Sequence, residues 1–474
     1  MVFSSFIFLC YFLPLVLFFY FCSPNITVKN LFLLIFSCFF YAWSEPKYLF
    51  YMLLVIFGTY VGGICIYQIK TTGLKQCSLL LFIILILSGL FYFKYFNFAV
   101  LFFNDVTTQK IVIESVILPI GISFYTFQAI SYLVDVYRGH VPQKNFFNLA
   151  LYISMFPQLV AGPIVRYETI EQQLTQRQHK VTDIYLGCQR FLIGLSKKII
   201  IADTLAMSVD KIFSMPIQEL SPLILWVGIL FYALQIYFDF SGYSDMAIGL
   251  GRIFGFKFLE NFNYPYLANS ITDFWRRWHI SLSSWFKEYV YIPLGGNRKG
   301  LKNTLRNVFI VFFLTGLWHG AEYTFVIWGL WYALFIMFEK IISYIKSFFN
   351  ISLNYAKYIF KIVTYIYTVF VVLLGWVFFR APDLNYACLY IKGLFNTISF
   401  QTDLGLGFYV SSGSWMIFVV GFVLSVGLGK KLMVIMSKNV FTKVCFDLFL
   451  ILSFFISIVF LTATSYSPFI YFQF

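Results

Sequence analysis

The sequence predicts an all-α polytopic membrane protein of about 11–13 hydrophobic helices, some of them re-entrant or interfacial. Three observations lead there. Of 474 residues, 60% are hydrophobic and only 11% charged, whereas a soluble domain carries about 25% charged residues. Runs such as Leu79–Phe93 and Leu448–Leu461 approach the roughly 20 apolar residues that cross a hydrocarbon core. Period-2 alternation, the mark of a transmembrane barrel, is missing.

The formal net charge of +14 fits cytoplasmic loops rich in Lys and Arg better than nucleic-acid binding. The eight cysteines form no CxxC pair, which argues against a disulfide framework or a zinc site. The stretch Phe3–Cys22 has neither a basic n-region nor an A-x-A cleavage site, so it reads as a retained span. Lys94, between aromatics, is expected to snorkel. In Leu118–Gln128, Pro119 and Gly121 are positioned to break a helix, and Ser123, Thr126 and Gln128 to bond across helices. Phe156–Arg166 reads as a second broken segment. It leads into a wet loop, Arg166–Asp183, where His179 is expected to be solvated, as is His140.

Polar residues are densest between Gln235 and Trp331. Asp239 and Asp245 flank Ser241 and Tyr243 within an apolar run. Carboxylates at that depth either mark a site or pin neighbouring helices. Trp275–Tyr291 reads as one amphipathic, interfacial or re-entrant helix, with His279 at the rim of its apolar face. Asn307–His319 covers about 20 Å of helix, short of the roughly 30 Å core. Basic residues lie on both sides: Arg298, Lys299 and Lys302, then Lys340 and Lys346. We therefore expect a helical hairpin that enters and leaves from the cytoplasm, with His319 at its apex. Gly375–Pro382 reads as an interface edge with a tryptophan belt, and Lys430–Lys443 as another basic loop. No internal repeat is visible, and the chain reads as one domain, 1–474, with a catalytic core at about 115–340.

The motifs Gly121–Gln128, Phe156–Arg166, Gln235–Asp245, Asn263-Tyr264-Pro265, Phe274–Ser281 and Leu317–Ala321 resemble, in order, those of the membrane-bound O-acyltransferases. The bacterial branch that acetylates alginate and peptidoglycan is the most similar, and D-alanyl transfer to teichoic acids is a further possibility. The resemblance covers most of the chain. It implies helices ringed around a central funnel in the bacterial cytoplasmic (inner) membrane. His319 and His279 match the family's two histidines.

The resemblance also implies acetyl-CoA or another cytoplasmic acetyl thioester as donor substrate, with no bound cofactor or metal. The acceptor would be an extracytoplasmic polysaccharide, reached with a secreted or periplasmic esterase-like partner. An imidazole can take the proton from an attacking hydroxyl, so His319 is the candidate base and His279 its companion. Candidate substrate contacts are Asp239, Ser241, Tyr243, Asn263, Arg276 and Trp318. Arg276, Arg277 and Arg298 could meet donor phosphates or serve as membrane-surface anchors. No Gly-x-Ser-x-Gly elbow is present.

A transporter or flippase relaying protons through buried His and Asp is the alternative, though such proteins more often show paired broken helices in repeated halves. The uncharged tail Pro468–Phe474 reads either as an aromatic belt at the outer interface or as a segment folded back to present the Tyr471 hydroxyl to His319 as an acyl carrier.

Overall fold

The computed structural model describes residues 1–107, 110–112, 114–349, 357–395, 404–429, 439–463 and 469–470. Tyr471 and the basic run Lys430–Lys438 lie outside the described residues. The described chain is helical, with no strand. Seven helices are long and apolar enough to cross a membrane: Ile26–Ser44, Pro46–Gln68, Thr72–Val106, Pro222–Ile253, Tyr323–Phe348, Ile359–Arg380 and Val440–Ala463. Two shorter apolar helices, Phe8–Cys22 and Ser412–Ser425, accompany them. The gap between these and the larger count of apolar segments has a physical cause. Much apolar sequence lies in short buried helices such as Ile122–Tyr137 and Phe146–Ser154. The protein is thus an all-α, multi-pass membrane protein.

It divides into two compact units. The first comprises Met1–Leu195, Tyr243–Leu259 and Leu461–Tyr466; the second comprises Ser196–Gly242, Glu260–Phe460 and Ser467–Phe474.

In the first unit, Gly121 breaks the chain as expected. It takes φ 74° and caps the helix Ile122–Tyr137, a left-handed conformation that glycine adopts without steric cost. Ser123, Thr126 and Gln128 are buried, but Thr126 Oγ1 and Gln128 Oε1 make no hydrogen bond among the described residues, so the expected bonding across helices is not met there. Lys94 does not snorkel; it is buried. His179 is not simply solvated. Its Nε2 lies 2.8 Å from Tyr20 Oη, which donates to the Phe254 carbonyl and accepts from Arg177 Nε. Burial, then the charges of Lys29 and Arg177, hold its pKa below the ordinary imidazole value. His140 is exposed, as read.

Asp245 belongs to this unit and pairs with Arg190 at 2.6 Å. Asp239 belongs to the second unit and pairs with Lys198 at 2.6 Å. Each acid meets a cation within its own unit, Lys198 being shared with Asp203 at 2.7 Å, as a buried carboxylate in an apolar setting requires. Tyr243 also belongs to the first unit, its ring stacked on Phe3 at 4.6 Å.

In the second unit, the helices Gly300–His319 and Tyr323–Phe348 form a hairpin with His319 at its turn, but its first arm is longer than expected. The first arm starts at Gly300, earlier than Asn307, so its 20 residues span about 30 Å. The arms touch through glycine. A Cβ on Gly316 would lie 2.5 Å from the Phe325 carbonyl oxygen, and one on Gly329 would lie 2.3 Å from that of Phe312. Small residues let backbones approach where no hydrophobic effect drives helices together. Gly329→Ala should therefore force the arms apart and lower the detergent melting temperature, with a loss of about 1–3 kcal/mol typical of overpacking. An unchanged melting temperature would contradict the tight crossing.

Candidate active site

The sequence Trp275–Tyr291 does not form one amphipathic helix. A short helix, Ile271–Arg277, ends at Trp278, and a second, Ile280–Phe286, starts after His279 and passes into a π-helical turn, Lys287–Tyr291. The hinge is His279, with φ 45° and ψ 55°. A non-glycine residue in that left-handed region costs about 1–3 kcal/mol and persists only when its surroundings fix it. They do so here. Asn263 N donates to the Arg277 carbonyl and Ile280 N to the Asn261 carbonyl, both at 2.9 Å. His279 is thus not at a rim; it is fully buried.

Asn261 holds the imidazole. Its Oδ1 accepts from Ser281 N at 3.2 Å and from Ser281 Oγ at 2.9 Å, and it faces His279 Nδ1 at 3.2 Å. A backbone N–H can only donate, so the Asn261 atom there is the oxygen. His279 Nδ1 must then carry the proton, which leaves the lone pair on Nε2. Phe240 stands edge-on to the ring at 4.6 Å. The 260–299 segment contains no candidate span, and burial pushes the His279 pKa from 6.5 down to about 3. The ring is neutral, and therefore able to act as an acceptor, throughout the physiological range.

His319 ends the first hairpin arm. Gly320 follows in extended conformation, and a Cβ there would lie 2.1 Å from the Phe325 ring, so glycine is what lets that ring pack against the turn. The imidazole is buried among Trp318, Trp328 and Phe379, with ring centroids at 4.8, 4.7 and 5.2 Å, each near perpendicular. Trp318 also lies 5.9 Å from the His279 ring. One indole therefore borders both histidines, although they are 40 residues apart in sequence.

The other predicted contacts scatter. Asn263 and Arg276 are exposed and Arg298 is too; Arg277 pairs with Asp273 at 3.0 Å. Asn261, two residues from the predicted Asn263, is the amide that faces His279. Ser241 is buried in the second unit, and its hydroxyl makes no hydrogen bond among the described residues. Trp376 does not form a belt; it is fully buried against Trp278 at 4.8 Å. Phe469 and Ile470 are buried rather than interfacial. The Ile470 amide donates to Asp239 Oδ2 at 2.9 Å, and the Phe469 ring lies 5.9 Å from Phe240. Among the described residues, no His, Cys, Asp and Glu cluster could hold a metal.

A multi-pass helical protein that buries two imidazoles around one tryptophan holds groups suited to proton transfer in dry surroundings. The chain belongs to the membrane-bound O-acyltransferase family, whose model matches residues 37–377; it is a membrane-bound acyltransferase. It is 42% identical over 411 residues to "Probable alginate O-acetylase AlgI" of Pseudomonas aeruginosa, covering 85% of this chain and 76% of that one. It is 38% identical to the "Peptidoglycan O-acetyltransferase" of Helicobacter pylori, covering 78% and 75%. Similarity to the "Teichoic acid D-alanyltransferase" of Bacillus subtilis is 32% over 47% of this chain and 60% of that one.

The pH dependence of stability follows from the His279 environment. Between pH 6.5 and about 3, the unfolded chain takes up a proton that folded His279 refuses, so the folded state loses stability as pH falls through that window and regains it fully above 6.5. Detergent melting curves of the wild type should show this slope, and His279→Asn should flatten part of it. Equal slopes would contradict the buried neutral imidazole.

Proposed function

We propose that this protein transfers an acetyl group from a cytoplasmic thioester, acetyl-CoA or an equivalent, toward hydroxyls of an extracytoplasmic polysaccharide. His319 is the base that takes the proton from the attacking hydroxyl as its oxygen bonds to the acetyl carbon, and it returns that proton to the thiolate that leaves when the thioester C–S bond breaks. His279 orients the thioester donor, the lone pair on Nε2 accepting a hydrogen bond from an N–H or O–H of that donor. The observation that carries the reading is the shared tryptophan: Trp318 borders both imidazoles in surroundings built from aromatic rings. In so dry a site, developing charge is felt more strongly than in water. Acetyl is preferred to D-alanyl because the relatives named for O-acetyl transfer match over most of the chain, while the D-alanyl relative matches less than half of it.

Orientation follows from charge. The open end of the hairpin carries exposed Arg298, Lys299, Lys302 and Arg306, and Lys346 ends the second arm. Excess Lys and Arg mark the cytoplasmic side, which puts the His319 end away from the cytoplasm. The donor therefore approaches from the basic side, and a secreted or periplasmic esterase-like partner passes the group to an alginate-like exopolysaccharide or to peptidoglycan. Tyr471 as an acyl carrier belongs to the same reading.

Ester content of the cell's polysaccharides, measured by mass spectrometry at matched protein levels, tests this. His319→Ala should lower acetylation by about 10²–10⁴-fold, the usual contribution of a general base. His279→Ala should lower it by about 10–100-fold, as loss of an orienting hydrogen bond to a buried group does. Near-normal acetylation in His319→Ala would remove it from the mechanism. In the same assay, Tyr471→Phe with unchanged ester content would end the carrier role, and purified protein that neither binds nor hydrolyses acetyl-CoA would contradict that donor.

A further inference from the structure

The helix Ile271–Arg277 carries His279 two residues beyond its end, and its start is tied to a carboxylate on a different element. Glu339, on the second hairpin arm, accepts from Ile271 N at 2.5 Å through Oε1. Through Oε2 it accepts from Thr272 N at 3.0 Å and from Thr272 Oγ1 at 2.6 Å. Three donors converge on one side chain. Two of them are backbone groups that the first turn of a helix leaves without a partner, and an anion there also meets the positive end of the helix dipole. Ser270, the cap residue, separately accepts from Asp273 N at 2.9 Å. The start of this helix is therefore doubly fixed, once by its own chain and once by the hairpin.

The other end of the same short helix rests on the same arm. Trp275 meets Trp328 at 5.5 Å and Tyr332 at 5.1 Å, and Phe274 lies parallel to Tyr332 at 6.3 Å. Trp328 is in turn one of the rings against His319. Glu339 and Trp328 are about 16 Å apart along the arm. The arm thus grips the helix at both ends, and only one grip, that of Glu339, sets its position along the arm by directional bonds. Aromatic contacts tolerate sliding, whereas three hydrogen bonds to one carboxylate do not.

We propose that Glu339 is a positioning residue for the transfer reaction: by fixing the register of the helix Ile271–Arg277 on the hairpin, it sets the strained His279 turn relative to His319. It touches neither histidine and acts through the helix. Its effect on turnover rests on the function proposed above; its effect on the geometry of His279 does not, and the two are measured separately.

The test uses full-length protein in detergent or native membranes. Glu339→Gln keeps the shape but turns an amide NH₂ toward one of the two backbone N–H groups, which can only donate. Thr272→Val removes one of the three donors and no volume, and it serves if Glu339→Gln does not accumulate. The geometric readout is the rate at which diethyl pyrocarbonate modifies each histidine, resolved by mass spectrometry. In both variants His279 should be modified several-fold faster than in the wild type. His319, held by the glycine crossing of its own hairpin, should keep its wild-type rate, and exposed His140 supplies the reference. Polysaccharide acetylation should fall by about tenfold in Glu339→Gln and less in Thr272→Val, the scale of one charge-assisted hydrogen bond. A wild-type modification rate at His279, or a parallel rise at His279 and His319 that reports general loosening, would overturn the proposal. Faster modification of His279 with unchanged acetylation would keep the geometric role but contradict the part assigned to His279 in the reaction.

Discussion

The arrangement of the site depends on one acceptor atom, Asn261 Oδ1. It gathers a backbone amide, a hydroxyl and an imidazole nitrogen, and by doing so it holds a buried imidazole in place. In a wetter protein, solvent could compensate for a lost partner. Here the surroundings of His279 are lined by rings, so a polar group there that lost its partner would find no water to replace it. The tautomer of His279 follows from that oxygen and its neutrality from burial, while the backbone bonds of residues 261 and 263 to residues 280 and 277 hold the strained turn itself.

Around it, the second unit uses two further devices suited to a membrane. Glycine-to-backbone contact at Gly316 and Gly329 closes the hairpin, and carboxylates are matched to cations or helix starts rather than left in lipid. Asp239 with Lys198, and Glu339 with Ile271 and Thr272, are both of this kind. Helix exposure sorts by role. The helix Pro222–Ile253 is 83% buried over its most apolar window, whereas Thr72–Val106 and Val440–Ala463 are 17% buried. The first contributes Phe240 to the site; the latter two present apolar surface to lipid.

How much of this could be read from the sequence depended on periodicity. The hairpin was legible because charged ends bracket an apolar stretch with a turn at His319, and both arms keep helical spacing. The His279 turn was not, since a helical wheel assumes continuity and a left-handed residue leaves no compositional mark. The sequence motif draws attention to Asn263, whereas the structure brings Asn261 against His279. Asn261 is buried and Asn263 exposed, a difference that shows only in the pairing of this segment with residues 277–280. Asp239 and Asp245 were visible as costly groups, but their cations, Lys198 and Arg190, come from distant stretches of chain. Trp376 looked like a membrane belt because a tryptophan near a helix end fits either a lipid interface or a core, and its neighbours Trp278 and Trp328 are far away in sequence.

The most direct test of this account is the protonation of His279 itself. Full-length protein labelled with ¹⁵N-histidine, assigned by comparison with His279→Asn, should show at pH 7 a neutral ring with a proton on Nδ1 and a bare Nε2, and Asn261→Ala should release that tautomer. A ring protonated on Nε2, or charged at neutral pH, would contradict the account: the lone pair would not be where the proposed chemistry requires it, and Asn261 would not be the group that sets it.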